Sequence, residues 1–151
     1  MPATVHASAV LVGARAVLIR GPSGAGKSRL ALDLIEAARA GRLRFARLVG
    51  DDRVHLESAG GRLLVRPAAA LAGLIELRGA GILRLDYEPC AVVGLVVDLD
   101  AADAERLPDT SMIEVEGIRL PRFAGASGMA ALPSVLARII SAGAAIDLQP
   151  S

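Results

Sequence analysis

Hydrophobic positions along the chain follow two rhythms, one of short continuous runs and one of helical period. From Ala9 to Ile19 the residues read as two short strands around the turn Gly13-Ala14, the second being the unbroken apolar run Ala16 to Ile19. A glycine-rich segment follows, and beyond it Leu30, Ala31, Leu34, Ile35 and Ala38 recur at helical spacing. Arg29, Asp33, Glu36 and Arg39 take the opposite side, and Gly41 is placed to end the helix. Phe45 to Val49 forms another apolar run that stops abruptly at Gly50-Asp51-Asp52. Two carboxylates therefore stand at the C-terminal edge of a predicted strand, the edge at which open α/β sheets bind ligands.

The middle of the chain departs from simple strand and helix alternation. Val54 to Glu57 and Arg62 to Val65 flank Ser58 to Gly61, whose Gly60-Gly61 pair predicts an antiparallel hairpin. Pro67 to Leu74 reads as a short helix, and Ile75 to Leu83 carries the glycine-punctuated segment Glu76-Leu77-Arg78-Gly79-Ala80-Gly81, a functional loop set among apolar residues. Ala91 to Leu99 is a further strand, and Met112 to Val115 is expected to pair with Ile118 to Leu120 across Glu116-Gly117. Leu132, Val135, Leu136, Ile139 and Ile140 repeat at helical spacing, with Pro133 acceptable in a first turn. That helix either completes the domain's own core or buries itself against a neighbour. Ile146 to Ser151 reads as a loose tail. With no repeat, heptad run or dividing linker, residues 1–151 are expected to form a single domain.

Composition narrows the function classes. The apolar fraction is 53%, yet runs such as Cys90 to Val97 are far shorter than the roughly 20 residues that span a bilayer, so no membrane partner is expected. Arg15 and Arg20 interrupt the early hydrophobic residues where an export signal would need them absent. The single cysteine, Cys90, lies beside the apolar run Ala91 to Val93 and reads as a small core residue, which fits a cytoplasmic location. Seventeen basic against sixteen acidic residues give a net charge of +1, and aromatics amount to 2%, so neither a bulk field nor stacking platforms favour nucleic acid. A core of Val, Leu, Ile and Ala points to the α/β class.

The chemistry begins at Gly21-Pro22-Ser23-Gly24-Ala25-Gly26-Lys27-Ser28, which fits the Walker A pattern at every fixed position, between a predicted strand and a predicted helix. Its glycines let successive backbone N–H groups curl around a phosphate, and the helix starting near Lys27 adds its positive end. Lys27 would place a point charge on the β- and γ-phosphates of ATP, and the Ser28 hydroxyl is the expected Mg²⁺ ligand. Asp51 follows its strand as a Walker B aspartate would, holding Mg²⁺ directly or through water, while strand geometry points Asp52 elsewhere. One carboxylate can manage the metal while its neighbour accepts the proton of an attacking hydroxyl.

His6, the Gly21 to Ser28 loop, Asp51-Asp52-Arg53-Val54 and Glu76-Leu77-Arg78-Gly79-Ala80-Gly81 occur in an order that resembles HPr kinase/phosphorylase. The resemblance implies a P-loop-containing α/β kinase domain with a mixed central sheet, flanking helices and added antiparallel hairpins. It also implies phosphorylation of a serine on HPr or a related phosphocarrier with ATP and Mg²⁺, and in many members the reverse phosphorolysis, which releases pyrophosphate. Carried over by position, Asp52 is the proton acceptor, Asp51 its support or the metal's, and Glu76 a second Mg²⁺ ligand beside Ser28. His6, fifteen positions before Gly21, matches a catalytic histidine close to the transferred phosphate. Arg78 contacts a phosphate, pairs with the carboxylates or braces its loop, whereas His55 has no motif around it.

The resemblance weakens toward the C-terminus. Long members carry an N-terminal domain, and this chain starts almost at the catalytic one, like the short proteobacterial form. Where long members supply a further catalytic arginine, this chain reads Leu120-Pro121-Arg122-Phe123-Ala124-Gly125, which makes Arg122 the candidate and leaves phosphorylase activity and a homo-oligomer open. Two other readings fit the same residues: a small-molecule kinase or NTPase, and a nucleotide sensor that binds ATP without transfer.

Overall fold

The computed structural model describes residues 3–100, 111–125 and 131–146. Its elements are β1 (Thr4–His6), β2 (Ser8–Val12), β3 (Arg15–Arg20), α1 (Lys27–Arg39), β4 (Ala46–Gly50), β5 (Arg53–Ala59), β6 (Arg62–Pro67), β7 (Leu74–Leu77), β8 (Gly81–Arg84), β9 (Ala91–Leu99), β10 (Ser111–Val115), β11 (Ile118–Gly125) and α2 (Ala131–Ile146). The main sheet follows the order β1-β5-β6-β9-β3-β2-β4, with β11 also on β9 and β10 on β11. β3 pairs parallel with β9, and β9 parallel with β11; β2 is antiparallel to both β3 and β4. β3, β4, β9 and β11 therefore run the same way, and their C-terminal ends share one edge. The mixed sheet and its hairpins agree with the expected P-loop kinase architecture.

Two apolar clusters sit on the two faces of this sheet. On one, Val10, Val17, Ile19, Leu48, Leu95 and Val97 meet Leu30 and Leu34 of α1 and Val135 and Ile139 of α2. Each such fully buried side chain contributes on the order of 1.5–3 kcal/mol relative to exposure. On the other, Ala9, Leu18, Val49, Val93 and Val96 meet Val54, Leu63 and Val65 from the β5–β6 hairpin. Both helices thus cover one face, and strands fold over the other. The final helix completes this core: Ala131, Val135, Leu136 and Ile139 are buried. Ile140, expected on the same stripe, is 54% exposed, because the buried stripe is centred one step toward Ala131.

Helix α1 ends as Gly41 predicts. The Gly41 N–H donates to the Ala38 carbonyl and the Arg42 N–H to the Ala37 carbonyl, the paired bonds of a Schellman cap. Pro67 to Leu74, by contrast, holds only a three-residue 3₁₀ turn, Ala69–Leu71. Bounded by Pro67 at the end of β6 and by Gly73, the segment is too short to repay helix nucleation. Cys90 precedes β9 half-buried, outside both apolar clusters, so the expectation of a core cysteine is corrected. Apart from Ile146, which closes α2, the tail at 147–151 lies outside the described residues. Among the described residues no helix is long and apolar enough to cross a membrane.

One packing detail sets the direction of the site. β2 and β4 pair as Val10 with Leu48 but as Ala9 with Gly50, so Val49 is the extra residue of a β-bulge. The bulge swaps faces for everything after it. Gly50 turns toward the β5–β6 hairpin, where an added Cβ would lie 2.8 Å from Val54 Cγ1 and 3.1 Å from Pro67 Cα. Gly50→Ala is therefore expected to destabilise the fold by about 1–3 kcal/mol through overpacking, read as a lower denaturant midpoint at unchanged slope.

Candidate active site

The shared edge of β3, β4 and β9 carries a cleft of about 390 Å³. The glycine loop forms its floor between β3 and α1. Gly24 and Gly26 adopt φ of 85° and 95°, backbone that residues with a side chain rarely take, the kind of curl that lets successive amides form an anion-binding concavity. Lys27, the first helical residue, is 7% exposed, and its Nζ donates to the carbonyl oxygens of Gly21 at 2.8 Å and Pro22 at 3.1 Å. Burial pushes the Lys27 ammonium below the ordinary lysine value, while the charges of Asp51 and Asp52 act against that shift.

The acidic pair divides as the face swap dictates. Asp51 is turned to the helix side, 3% exposed, and both its oxygens accept from Ser28 Oγ, at 2.8 and 2.9 Å. Oδ1 also accepts from Ser8 Oγ at 2.6 Å. The Glu76 N–H stands 3.4 Å from Oδ2, long for a hydrogen bond. Asp52 is exposed, in the left-handed region at φ 68°, and its Oδ1 lies 3.1 Å from His6 Nε2. β1 carries His6 there by pairing with β5, and the Ala7 N–H donates to the Asp52 carbonyl at 3.2 Å.

The hairpin β7–β8 forms the opposite wall. Glu76, Leu77 and Arg78 all line the cleft, and an added Cβ on Gly24 would come 3.9 Å from Arg78 Nη2, so the guanidinium hangs over the loop. Arg78 makes no ion pair among the described residues. The structure thus brings together His6, Lys27, Ser28, Asp51, Asp52, Glu76 and Arg78 in one cleft. His55 sits in β5 opposite Thr4 and Arg66, away from it. Arg122 does not line the cleft either; its Nε donates to Asp98 Oδ2 at 2.6 Å.

Asp98 is a carboxylate that the motifs do not mark. It sits on β9 directly opposite Arg20, the residue before the glycine loop, and Arg20 grips it with two bonds of 2.7 and 2.9 Å. Burial alone would raise its carboxyl, but the hydrogen bonds and charges of Arg20 and Arg122 prevail and hold it below the usual carboxylate range. This clamp ties β3, β9 and β11 together beneath the loop. A depressed pKa contributes stability that is complete above the unfolded value, about pH 4, and disappears as pH falls through the folded one. Asp98→Asn is expected to cost about 3 kcal/mol at neutral pH, with denaturation midpoints of mutant and parent converging in acid.

The sequence-derived set omitted Ser8, Arg20 and Asp98. Ser8 carried one faint signal, a hydroxyl at the head of the apolar strand Ser8-Ala9-Val10-Leu11-Val12. Arg20 and Asp98 are separated by 78 positions and had none.

The family model for the HPr Serine kinase C-terminal domain matches residues 2–88, more than half of the chain. HPr kinase/phosphorylase of Streptococcus thermophilus strain LMD-9 is 35% identical over 133 residues, which cover 80% of this chain and 41% of that protein. The enzyme of the same name from Mycoplasma mycoides subsp. mycoides SC is 30% identical over 152 residues, covering 88% and 46%. This chain thus spans less than half the length of these curated relatives. The solved Hpr(Ser) kinase/phosphatase from Coxiella burnetii superposes with a TM-score of 0.76 at 22% identity, covering 95% of this chain and 98% of that one, which shows a shared fold. The matched stretch contains the glycine loop, the acidic pair and the Glu76 to Gly81 hairpin together, and the chain belongs to the HPr serine kinase C-terminal domain family.

Proposed function

We propose that residues 1–151 act as one catalytic unit, a P-loop protein kinase that transfers the γ-phosphoryl group of ATP to a serine of HPr or a related phosphocarrier. The observation that carries this reading is the placing of an exposed carboxylate, Asp52, beside a buried one, Asp51, in the cleft that holds Lys27. Lys27 would exchange its loop carbonyls for phosphate oxygens, and the loop amides would hold the rest of the triphosphate. Asp52, steadied by His6, accepts the proton of the serine hydroxyl as its oxygen bonds to the γ-phosphorus and ADP leaves. In the opposite direction inorganic phosphate attacks phosphoserine, Asp52 returns the proton to the serine oxygen, and pyrophosphate is released. Arg78, hanging over the loop, would meet phosphate oxygens with its planar fork.

The donor set fits Mg²⁺. Hard oxygens converge where the Ser28 hydroxyl meets the Asp51 carboxylate, and this ion binds through few protein ligands, with water and phosphate completing its shell. Ser28, Asp51 and Glu76 would hold it, and it would supply charge neutralisation on the phosphates.

The deciding experiment is transfer of label from γ-labelled ATP to a panel of phosphocarriers, with Mg²⁺ present and ATP binding measured in parallel. Phosphoserine on HPr is the expected result. ATP binding without transfer to any carrier would overturn the kinase assignment and leave a nucleotide sensor. Label on a small hydroxylated acceptor alone would point to a small-molecule kinase.

A further inference from the structure

The strand register places Ser8 in an unusual position. Ala9 faces Gly50, and the same register continues past the end of β4, with Ser8 opposite Asp51 and the Ala7 N–H bonded to the Asp52 carbonyl. β2 runs against β3 and β4, so its first residue lies at the edge where their chains leave the sheet. Ser8 is 0% exposed, and its hydroxyl lies 2.6 Å from Asp51 Oδ1, which also accepts Ser28 Oγ at 2.8 Å. An ionised carboxylate only accepts, so Ser8 donates.

We propose that Ser8 is a positioning residue for Asp51: its hydroxyl locks the Asp51 carboxylate in the orientation that presents Ser28 and the metal-facing oxygens to the cleft. This rests on the MgATP reading above. A carboxylate torsion is broad and roughly two-fold, so a side chain beyond the end of a strand needs fixed donors to hold one orientation. Ser28 alone cannot serve, because it is the group being aligned. Ser8 approaches Asp51 from strand β2 and Ser28 from helix α1, and two donors from two elements define the carboxylate plane. The Val49 bulge is what brings the two residues to the same face. Ser28 then directs its proton at Asp51 and its lone pairs away from it, the arrangement a cation needs.

Calorimetric titration of ATP, once with Mg²⁺ and once in a chelator, tests this on the full chain with Ser8→Ala, Ser8→Thr, Asp51→Ala and the Ser8→Ala/Asp51→Ala double variant. Ser8→Ala is expected to weaken MgATP binding about tenfold while leaving metal-free ATP affinity unchanged, as loss of a residue that orients a metal ligand does. In the Asp51→Ala background the same substitution should add nothing, and Ser8→Thr, which keeps the hydroxyl, should restore parental affinity. Unchanged MgATP affinity in Ser8→Ala overturns the proposal. So does an equal loss with and without metal, or a loss that persists without Asp51. If threonine's extra methyl disturbs folding, the alanine comparison in the two backgrounds decides alone. Parent protein that binds no ATP in either buffer refutes the nucleotide site itself, a separate outcome.

Discussion

Asp52→Asn should slow phosphoryl transfer by about 10²–10⁴-fold, the range that loss of a positioned general base removes, while MgATP still binds. The substitution is clean on conformational grounds. Asp52 has φ 68°, and asparagine tolerates left-handed backbone as well as aspartate does. It is also clean energetically, since the His6 to Asp52 contact is exposed, and such pairs contribute at most about 1 kcal/mol to stability. Rapid-quench measurement of labelled carrier, beside calorimetry of nucleotide binding, separates the two effects. A mutant that transfers at the parental rate would remove Asp52 from the proton's path, whatever else holds.

Lys27→Ala is expected to act earlier in the cycle, weakening MgATP binding by roughly tenfold or more and reducing transfer by about a thousandfold. The lysine is already desolvated at 7% exposure, so its charge works in a medium that screens it poorly. Because burial lowers its pKa, triphosphate affinity should fall as pH rises through that lowered value, where the free protein loses the cation. Calorimetry across an alkaline series should show this dependence in the parent and not in the mutant. Full affinity in the mutant would mean that the loop amides alone hold the nucleotide.

The residues that meet in the cleft were more legible than what joins them. The Gly21 to Ser28 loop is written in contiguous residues, and so are the acidic pair and the Glu76 to Gly81 hairpin, because backbone curl, charge and turn each need particular residue types side by side. What joins them is nonlocal. Nothing near Asp51 says that a bulge at Val49 will turn it toward Ser28, since a bulge is a property of two paired strands. Nothing near Asp98 says that Arg20 will face it across 78 positions. Arg122, the open candidate for a further catalytic arginine, is held at Asp98 by β11 pairing with Val96. The short helix foreseen after Pro67 failed for the opposite reason, an alanine-rich local preference left without enough residues to act on.

Strand β9 carries a consequence for how the molecule can be divided. Among the described residues, those lining the cleft lie between His6 and Arg78, yet β3 is flanked by β2 on one side and by β9 on the other, and an added Cβ on Gly21 would stand 3.0 Å from the Leu99 carbonyl oxygen. A polypeptide cut after Glu88 would keep these lining residues but leave the hydrogen-bonding side of β3 naked. The glycine loop would then spring from an outermost strand, with Arg20 bereft of its counter-ion, so the part of the chain that lines the cleft borrows its rigidity from a strand outside that lining.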